Sequence, residues 1–209
     1  MEVIHVVILT KSAKHGNYCV AGINSESGKW VRLVSDDERT MFALTHEMVK
    51  YEDGNECEVL DIVKVCIREA VPLSIQSENV LIDDGYYWEY VGKYDLESLR
   101  NLAKKSGYIF GNINSYVDKN IALETNGSLG LYFVENIVLS TRENNNGIRR
   151  KKVSFVFDGR HHSGWSMTDH RYFRENDGKI SDEGIIVVSI PEDDYNGNYY
   201  KFVAQIFAL

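Results

Sequence analysis

The residues best suited to binding chemistry lie near the N-terminus, in a polar segment that follows an apolar run. Lys11, Lys14 and His15 carry cationic or ionisable groups, and Gly16 beside them would let a ligand approach the backbone closely. This composition is typical of a cradle for a phosphate or another anion. A solvated hairpin loop has the same composition, so both interpretations are open.

Trp30 and Arg32 lie two residues apart on a predicted strand, so their side chains share one face of the sheet. An aromatic ring beside a cation is the arrangement with which proteins stack single-stranded nucleic acid. Val34 continues the same face, which favours instead a core position for Trp30 with Arg32 reaching towards the surface.

Glu78 and Asn79 are polar residues at the start of a later predicted strand. Asn79 carries both a donor and an acceptor and could read the edge of a base, so both residues are candidate ligand contacts. They could equally hold a turn.

A further group of candidate residues lies between residues 160 and 172. Contacts with an anionic ligand are expected from Arg160, His162, Trp165, Asp169 and Tyr172. Histidines near an aspartate also raise the alternative of a catalytic site. The segment contains neither a nucleophile elbow nor a His-Glu-x-x-His motif, so no catalytic residue is predicted.

The net charge of −8 argues against a protein that coats DNA nonspecifically. The charge is uneven, since residues 142–174 contain eight Lys or Arg against three Asp or Glu. Four of these cations, at residues 149–152, directly precede an apolar run. They are interpreted either as a phosphate-binding stripe or as charges that protect the edge of a sheet.

Three cysteines, Cys19, Cys57 and Cys66, lie in apolar runs without any Cys-x-x-Cys spacing. They predict buried thiols, and neither a metal site nor a cofactor is expected. The first residues have no basic lead and no small-residue cleavage site, and no run of ~18 apolar residues occurs. These features predict a cytoplasmic protein without a membrane partner.

Short apolar runs rich in β-branched residues predict a mainly β protein. Strands are predicted over residues 3–9, 18–23, 29–34, 58–68 and 76–82 in the first half, and over residues 131–140, 149–157, 184–190 and 199–207 in the second. Five short strands with an insert fit a small Greek-key barrel of the OB type, and the chain has room for two. The predicted domains are a first barrel over 1–93, a connecting helix over 94–108 and a second barrel over 109–209.

The remaining elements are predicted from turn and capping residues. Asp95 is a good N-cap for a helix over residues 95–105, with leucines at helical spacing and lysines at its end. A short helix is expected over 39–50 and a helical turn, capped by Thr168 or Asp169, over 168–174. The expected loops and turns cover residues 11–17, 112–130, 144–147 and 158–165.

Two stretches resemble uncharacterised prokaryotic proteins described as dual OB-fold domains. The first is Lys-Ser-x-Lys-His-Gly-x-Tyr-Cys-Val-Ala-Gly-Ile followed by Gly-Lys-Trp-Val-Arg-Leu-Val-Ser, and the second is Thr-Asp-x-x-Tyr followed by Ile-Val-Val-Ser-Ile and Tyr-Lys-Phe-Val-Ala. The resemblance covers nearly the whole chain. By position, Lys11, Lys14, His15, Cys19, Trp30 and Arg32 match the first motif, and Asp169, Tyr172 and Lys201 match the second.

The resemblance implies two tandem OB-like barrels that bind nucleic acid or a nucleotide-like ligand, in anti-phage or other conflict systems. It implies no reaction. The predicted function is therefore a binding module, with a ligand held between the Lys11–Lys14–His15 segment and the basic residues 149–174. The alternatives are an enzyme acting on a nucleotide or nucleic acid through His15, or through His161 or His162 with Asp169, and an adaptor that binds an acidic protein partner.

Overall fold

A computed structural model describes residues 2–125, 127–143 and 146–209 of the chain. The chain divides into two compact units, Met1–Leu99 and Arg100–Leu209, and the boundary falls inside helix α1, Leu96–Leu102. The carboxylate of Asp95 accepts the backbone N–H of Ser98 at 2.7 Å, so the predicted capped helix is confirmed, although it is shorter than expected. Within the described residues, no helix is long and apolar enough to cross a membrane.

The first unit is built mainly from six strands. They are β1, Glu2–Lys14; β2, Asn17–Asn24; β3, Trp30–Val34; β4, Asp61–Ala70; β5, Asn79–Ile82; and β6, Glu89–Lys93. Antiparallel pairs join β1 to β2, β2 to β3, β5 to β4 and β4 to β1, whereas β3 and β5 pair in parallel. The order β1-β2-β3-β5-β4 thus returns to β1, and β6 extends the sheet beyond β4.

The interior of this ring is filled by side chains that alternate along the strands. On β4, Val63, Val65 and Ile67 are buried while the residues between them are half-buried. They pack with Ile8 of β1 and Leu33 of β3 in one hydrophobic core. Complete burial of each such side chain stabilises the fold by about 1.5–3 kcal/mol, which is why the alternating pattern determines the strand faces.

The described residues of the second unit form seven strands and a short helix. They are β7, Tyr116–Asp118; α2, Lys119–Glu124; β8, Leu129–Glu143; β9, Arg149–Phe157; β10, Arg160–Met167; β11, Gly178–Ser189; β12, Asn198–Tyr200; and β13, Phe202–Ala208. Five of the strands form a closed barrel in the order β8-β9-β10-β13-β11, in which β10 and β13 are parallel. β7 and β12 pair separately as a two-stranded sheet.

Both rings have the same connectivity. If the five barrel strands of each unit are numbered one to five along the chain, each ring has the order 1-2-3-5-4-1, with strands 3 and 5 parallel. This is a Greek-key barrel of the OB type. The predicted fold class, mainly β with two tandem five-stranded OB-like barrels, is confirmed.

The loops predicted over 11–17 and 158–165 are wrong, because two-residue turns reverse the chain at both places. Only residues 15–16 separate β1 from β2, with φ angles of 49° and 79°. Only residues 158–159 separate β9 from β10, with φ angles of 49° and 72°. Two consecutive left-handed residues match the twist of a hairpin, so the flanking strands extend further than their apolar runs indicate.

The helix predicted over 39–50 is also wrong, since this segment holds two 3-10 turns, Glu38–Thr40 and Glu47–Val49. Met41 and Phe42 follow the first turn with φ angles of 54° and 63°, and this left-handed backbone cannot continue a helix. The loop predicted over 112–130 contains β7 and α2.

The helical turn predicted over 168–174 is confirmed as the 3-10 turn His170–Tyr172, with Asp169 as its N-cap. In the turn predicted over 144–147, Asn144 and Asn145 lie outside the described residues.

A buried cation connects the segment before β7 to the junction of β12 and β13. Lys201, which is 1% exposed, donates from Nζ to the carbonyl oxygens of Ile109, Asn112 and Asn114 and to Asn112 Oδ1, at 2.6–3.1 Å. Burial lowers the pKa of Lys201 to about 7, while the oxygen acceptors favour the charged form. This ammonium group is satisfied by neutral oxygens, which explains how a charge can lie inside the fold.

The close approach of β1 and β2 gives a test of the first barrel. A Cβ on Gly22 would lie 1.9 Å from the carbonyl oxygen of Val7, whereas one on Gly92 of β6 would meet open space. We expect Gly22→Ala to lower the free energy of unfolding by at least ~1–3 kcal/mol, because the backbone of β1 must move. Gly92→Ala, the matched control, should change it by less than ~1 kcal/mol. Urea denaturation measures both, and equal effects would contradict the contact.

Candidate functional site

Lys11 lies in a network of charged and polar groups of the first unit. Its Nζ donates to Glu56 Oε2 at 2.5 Å and to the Cys57 carbonyl at 3.0 Å. The other oxygen of Glu56 contacts Nδ1 of His46 at 2.7 Å. Burial acts to raise the pKa of Glu56, but the hydrogen bonds from Lys11 and His46 outweigh it and lower that pKa to about 2. Lys11 is thus neutralised by a carboxylate of its own barrel.

Lys14 and His15 lie at the hairpin between β1 and β2. The Nζ of Lys14 donates to the carbonyl oxygen of Met41 at 2.7 Å, and His15 is exposed in the turn itself. The structure therefore places these two candidates at the surface, while Lys11 points into an ion pair.

Arg32, Glu78 and Asn79 meet where the first barrel closes, and Trp30 pairs with Ile23 of β2 instead. Arg32 pairs with Asn79 across the parallel strands β3 and β5, and its backbone N–H donates to the Glu78 carbonyl at 2.9 Å. The guanidinium group of Arg32 lies 3.5 Å from Glu78 Oε1, and both side chains are buried. Trp30 is half-buried at the start of β3. Arg32, expected to reach the surface, is instead held inside by a carboxylate.

The two units differ in charge. Met1–Leu99 contains nine Lys or Arg against eighteen Asp or Glu, a net charge of −9. Arg100–Leu209 contains fourteen against thirteen, a net charge of +1. An anionic ligand is therefore favoured electrostatically by the second unit.

His162 and Trp165 belong to the interior of the second barrel. Both are buried, and the imidazole of His162 stacks on Phe155 with ring centroids 5.1 Å apart. Trp165 contacts both rings edge-on, and the Nζ of Lys201 lies 5.4 Å from the centroid of the indole. Burial, and then the charge of Lys201, lower the pKa of His162, so its neutral form is favoured. These two rings are packed as core residues.

The carboxylate of Asp169 accepts hydrogen bonds from three residues of the second unit. This buried carboxylate accepts from the backbone N–H and the guanidinium group of Arg171, from Gln205 Nε2 at 2.7 Å and from the backbone N–H of Ile206 at 2.9 Å. Tyr172, half-buried, ends the 3-10 turn that Asp169 caps. The contacts of this carboxylate are with Arg171, Gln205 and Ile206, whereas His162 packs against Phe155 and Trp165, so the two are not arranged as an acid–base pair among the described contacts.

Arg160 binds the segment that follows α1, at Gly107 and Tyr108. Its Nη1 donates to Asp158 Oδ2 at 2.8 Å and to the Gly107 carbonyl at 2.9 Å, and its guanidinium group lies 4.6 Å from the ring centroid of Tyr108. The group is about two-fifths exposed, so one side of it remains accessible.

Three other cations converge on one face of the second barrel. Arg142 of β8 lies directly opposite Arg150 of β9, and Lys152 follows two residues later on the same face, turned away from the core residue Val153. Within residues 2–125, 127–143 and 146–209, neither arginine forms an ion pair. Burial, and then the charges of Arg142 and Arg150, lower the pKa of Lys152. Like charges directly opposite each other repel, and an anion would relieve that repulsion.

Gly164 makes room for this cluster. It lies on β10 with φ of 65°, and a Cβ there would be 2.8 Å from Cζ of Arg142. The guanidinium group therefore packs directly over the glycine backbone. Lys152 is also fixed, since its Nζ donates to Ser166 Oγ at 2.9 Å.

A pocket of about 290 Å³ opens beside the cluster. Phe173, 44% exposed, lies on one of its walls. Its lining is Arg149, Arg150, Lys151, Lys152, Ser166, Met167, Thr168, Phe173 and Phe202. Lys151 is bound to Asp177 Oδ1 at 2.6 Å, but Arg149 and Arg150 are exposed. The pocket thus combines cations, hydroxyl groups and two phenyl rings.

The sequence profile of the dual OB-containing domain matches residues 4–206. The chain belongs to the dual OB-containing domain family. A comparison with curated proteins gave no match. OB barrels bind oligonucleotides and oligosaccharides on the face of their strands 2 and 3 and on adjoining loops, so membership indicates a binding module.

In this dual OB domain, strands 2 and 3 of the second barrel are β9 and β10, which carry most of the basic pocket. The basic residues 149–152 were noticeable in the sequence as a run of like charge. No sequence pattern indicated that the pocket would also be lined by Phe173, Phe202 and Ser166, because only barrel closure brings these residues together. Arg142 is separated from Arg150 in sequence by the hairpin turn.

The Lys11–Glu56 pair gives a test by pH. The folded-state pKa of Glu56 is about 2 against an ordinary value of 4.5, so its stabilising effect is complete above pH 4.5 and is lost as the pH falls towards 2. We expect Glu56→Gln to lower the free energy of unfolding at pH 7 and to differ less from the wild type at pH 3. The exposed Glu52→Gln is the control and should show neither effect in urea titrations. A pH-independent loss would contradict the pairing.

Proposed function

We propose that this dual OB domain binds single-stranded nucleic acid through the second barrel. The observation that supports the proposal is the Arg142–Arg150–Lys152 cluster, which lies on a half-exposed face without a carboxylate partner among the described residues. Arginines bind phosphate oxygens in a bidentate manner, and neighbouring strands hold these two in register.

The adjoining pocket supports a ligand that also has a base. Phe173 and Phe202 offer apolar ring surface beside Ser166 and Thr168, whose hydroxyl groups can donate and accept hydrogen bonds. A base can enter such a pocket only when it is unstacked, which favours a single strand over a duplex.

The charge distribution is consistent with a localised contact. The first unit, with a net charge of −9, would repel a phosphate backbone, so we assign the ligand to the second barrel. A short segment of nucleic acid fits this division better than a long duplex. A role in a prokaryotic defence or conflict system remains a prediction from the resemblance.

Substitution of the paired arginines tests the phosphate contacts. Arg142→Gln and Arg150→Gln should each weaken binding of a short single-stranded oligonucleotide and reduce the slope of log affinity against log salt by roughly 0.7, the value for one phosphate of a single strand. Arg39→Gln is the matched control, because this arginine of the first unit is 90% exposed and pairs with Asp37. Fluorescence anisotropy over a salt series measures both quantities. Equal effects of all three variants would indicate nonspecific attraction and contradict the assignment.

Substitution of the exposed phenylalanine tests base stacking. Phe173→Ala should weaken single-strand binding by ~1–3 kcal/mol, because one base loses its stacking partner. Phe42→Ala is the matched control, since Phe42 is a similarly exposed phenylalanine of the first barrel, 49% against 44%. Duplex binding should be weaker than single-strand binding and insensitive to Phe173→Ala. If the wild-type protein bound a duplex more tightly than a single strand, the single-strand assignment would be contradicted. The proposed arginine–phosphate contacts would not be affected by that result.

A further inference from the structure

Three tyrosines form an exposed aromatic surface at the two-stranded sheet: Tyr116 lies on β7, Tyr200 on β12 and Tyr195 in the loop before β12. Tyr116 lies directly opposite Tyr200, with ring centroids 5.8 Å apart. Tyr195 lies 6.4 Å from Tyr200 in the same tilted manner. Their exposed fractions are 37% for Tyr116, 36% for Tyr200 and 69% for Tyr195. Val117 and Tyr199, on the opposite face, are buried, so this small sheet has one packed and one open side.

Three aspartates lie close to these tyrosines along the chain, and two of them also accept backbone N–H groups, Asp118 from Ile121 at 3.0 Å and Asp194 from Gly197 at 2.6 Å. Asp118 continues the open face of β7 two residues beyond Tyr116, and Asp193 and Asp194 directly precede Tyr195. Within the described parts of the chain, none of these three aspartates forms an ion pair. Burial, and then the charges of Asp194, Glu192 and Asp193, raise the pKa of Tyr199, the residue before Tyr200.

Hydrogen bonds of Lys201 hold the backbone behind Tyr116 and Tyr200 in place. Lys201 follows Tyr200, and its Nζ binds the carbonyl oxygens of Ile109, Asn112 and Asn114. Its backbone N–H donates to the Ser115 carbonyl at 2.9 Å, next to Tyr116. Lys201 thus links the end of β12, which carries Tyr200, to the segment that leads into β7 and Tyr116. An ordered aromatic surface costs less entropy when a partner binds than a flexible one.

We propose that the tyrosine surface, defined by Tyr116, Tyr195 and Tyr200, binds the cationic side chains of an arginine- or lysine-rich polypeptide segment. Guanidinium and ammonium groups bind the faces of tyrosine rings, and the neighbouring aspartates supply the opposite charge. Stacked nucleobases are the competing occupant. They are disfavoured, because the aspartates would repel the phosphates that accompany the bases.

This surface is separate in chemistry from the basic pocket of the same barrel. The pocket presents exposed arginines to an anion, and the tyrosine surface presents carboxylates and rings to a cation. The inference therefore does not depend on nucleic-acid binding, and either assignment can fail alone.

The test uses the full chain and three synthetic peptide probes of equal length: one rich in arginine, one rich in glutamate and one of glycine and serine. Wild-type protein should bind the arginine-rich probe, and the double variant Tyr195→Leu with Tyr200→Leu should bind it roughly 5- to 30-fold more weakly, as expected for the loss of two exposed cation–π contacts. The double variant Tyr195→Phe with Tyr200→Phe keeps the rings and should retain binding. Circular dichroism confirms that each variant is folded.

A charge-matched pair separates local from global attraction. Asp193→Asn with Asp194→Asn should weaken binding of the arginine-rich probe more than Glu38→Gln with Glu52→Gln, which removes two exposed charges from the first unit. Equal losses in the two pairs would show nonspecific attraction and overturn the proposal. Equal losses in the leucine and phenylalanine variants would exclude a role for the rings and overturn it as well. A loss of oligonucleotide affinity with unchanged peptide binding would assign the tyrosines to nucleobases instead.

Discussion

Each barrel depends on one short parallel pairing, the contact of its third strand with its fifth. In the first barrel this pairing consists of three residue pairs, the first of which is Arg32 with Asn79. In the second barrel it consists of two, Ser166 with Phe202 and Met167 with Val203. Without it, each ring would be an open sheet with two exposed edges. The same pairing builds the candidate sites, because it brings residues of strand 5 beside those of strands 2 and 3. Phe202 reaches the basic pocket in this way.

One topology therefore produces two different surfaces, and charge makes the difference. At the first closure, the Arg32 side chain is buried beside Glu78, and Lys11 elsewhere in that barrel is bound to Glu56. On the second barrel, Arg142 and Arg150 lie opposite each other, and among the described residues neither is bound to a carboxylate. Both barrels also place an Asp-x-Arg cap after strand 3, in which Asp37 binds Arg39 and Asp169 binds Arg171 through the same three nitrogens. The shared frame and the different charges indicate that the frame itself does not determine the ligand.

Local patterns in the sequence were sufficient for most strands, because burial of alternate residues is a local property. The strand over 149–157 was predicted with the ends that the structure has. Residue type alone limited the cap of the next helical turn to Thr168 or Asp169, and the structure has Asp169. Long-range partners were not predictable. Glu56 is distant from Lys11 in sequence, and nothing near Lys11 indicates that its charge is already balanced. The same limit applies to the pocket, whose phenylalanines come from different elements. It also applies to the turn at residues 15–16, because the twist of the flanking strands, and not the composition, determines the length of the turn.

The buried position of Lys201 makes its amine a reporter of opening in the second barrel. Amine-reactive reagents modify the neutral, accessible form of a lysine, and in the closed barrel this side chain is 1% exposed with its Nζ surrounded by oxygen acceptors. Its acylation must therefore wait until the junction of β12 and β13 separates from the segment 109–115. Peptide mass spectrometry can follow the rate at which this one lysine is labelled. That rate would measure how often the second barrel opens locally, without any probe being introduced.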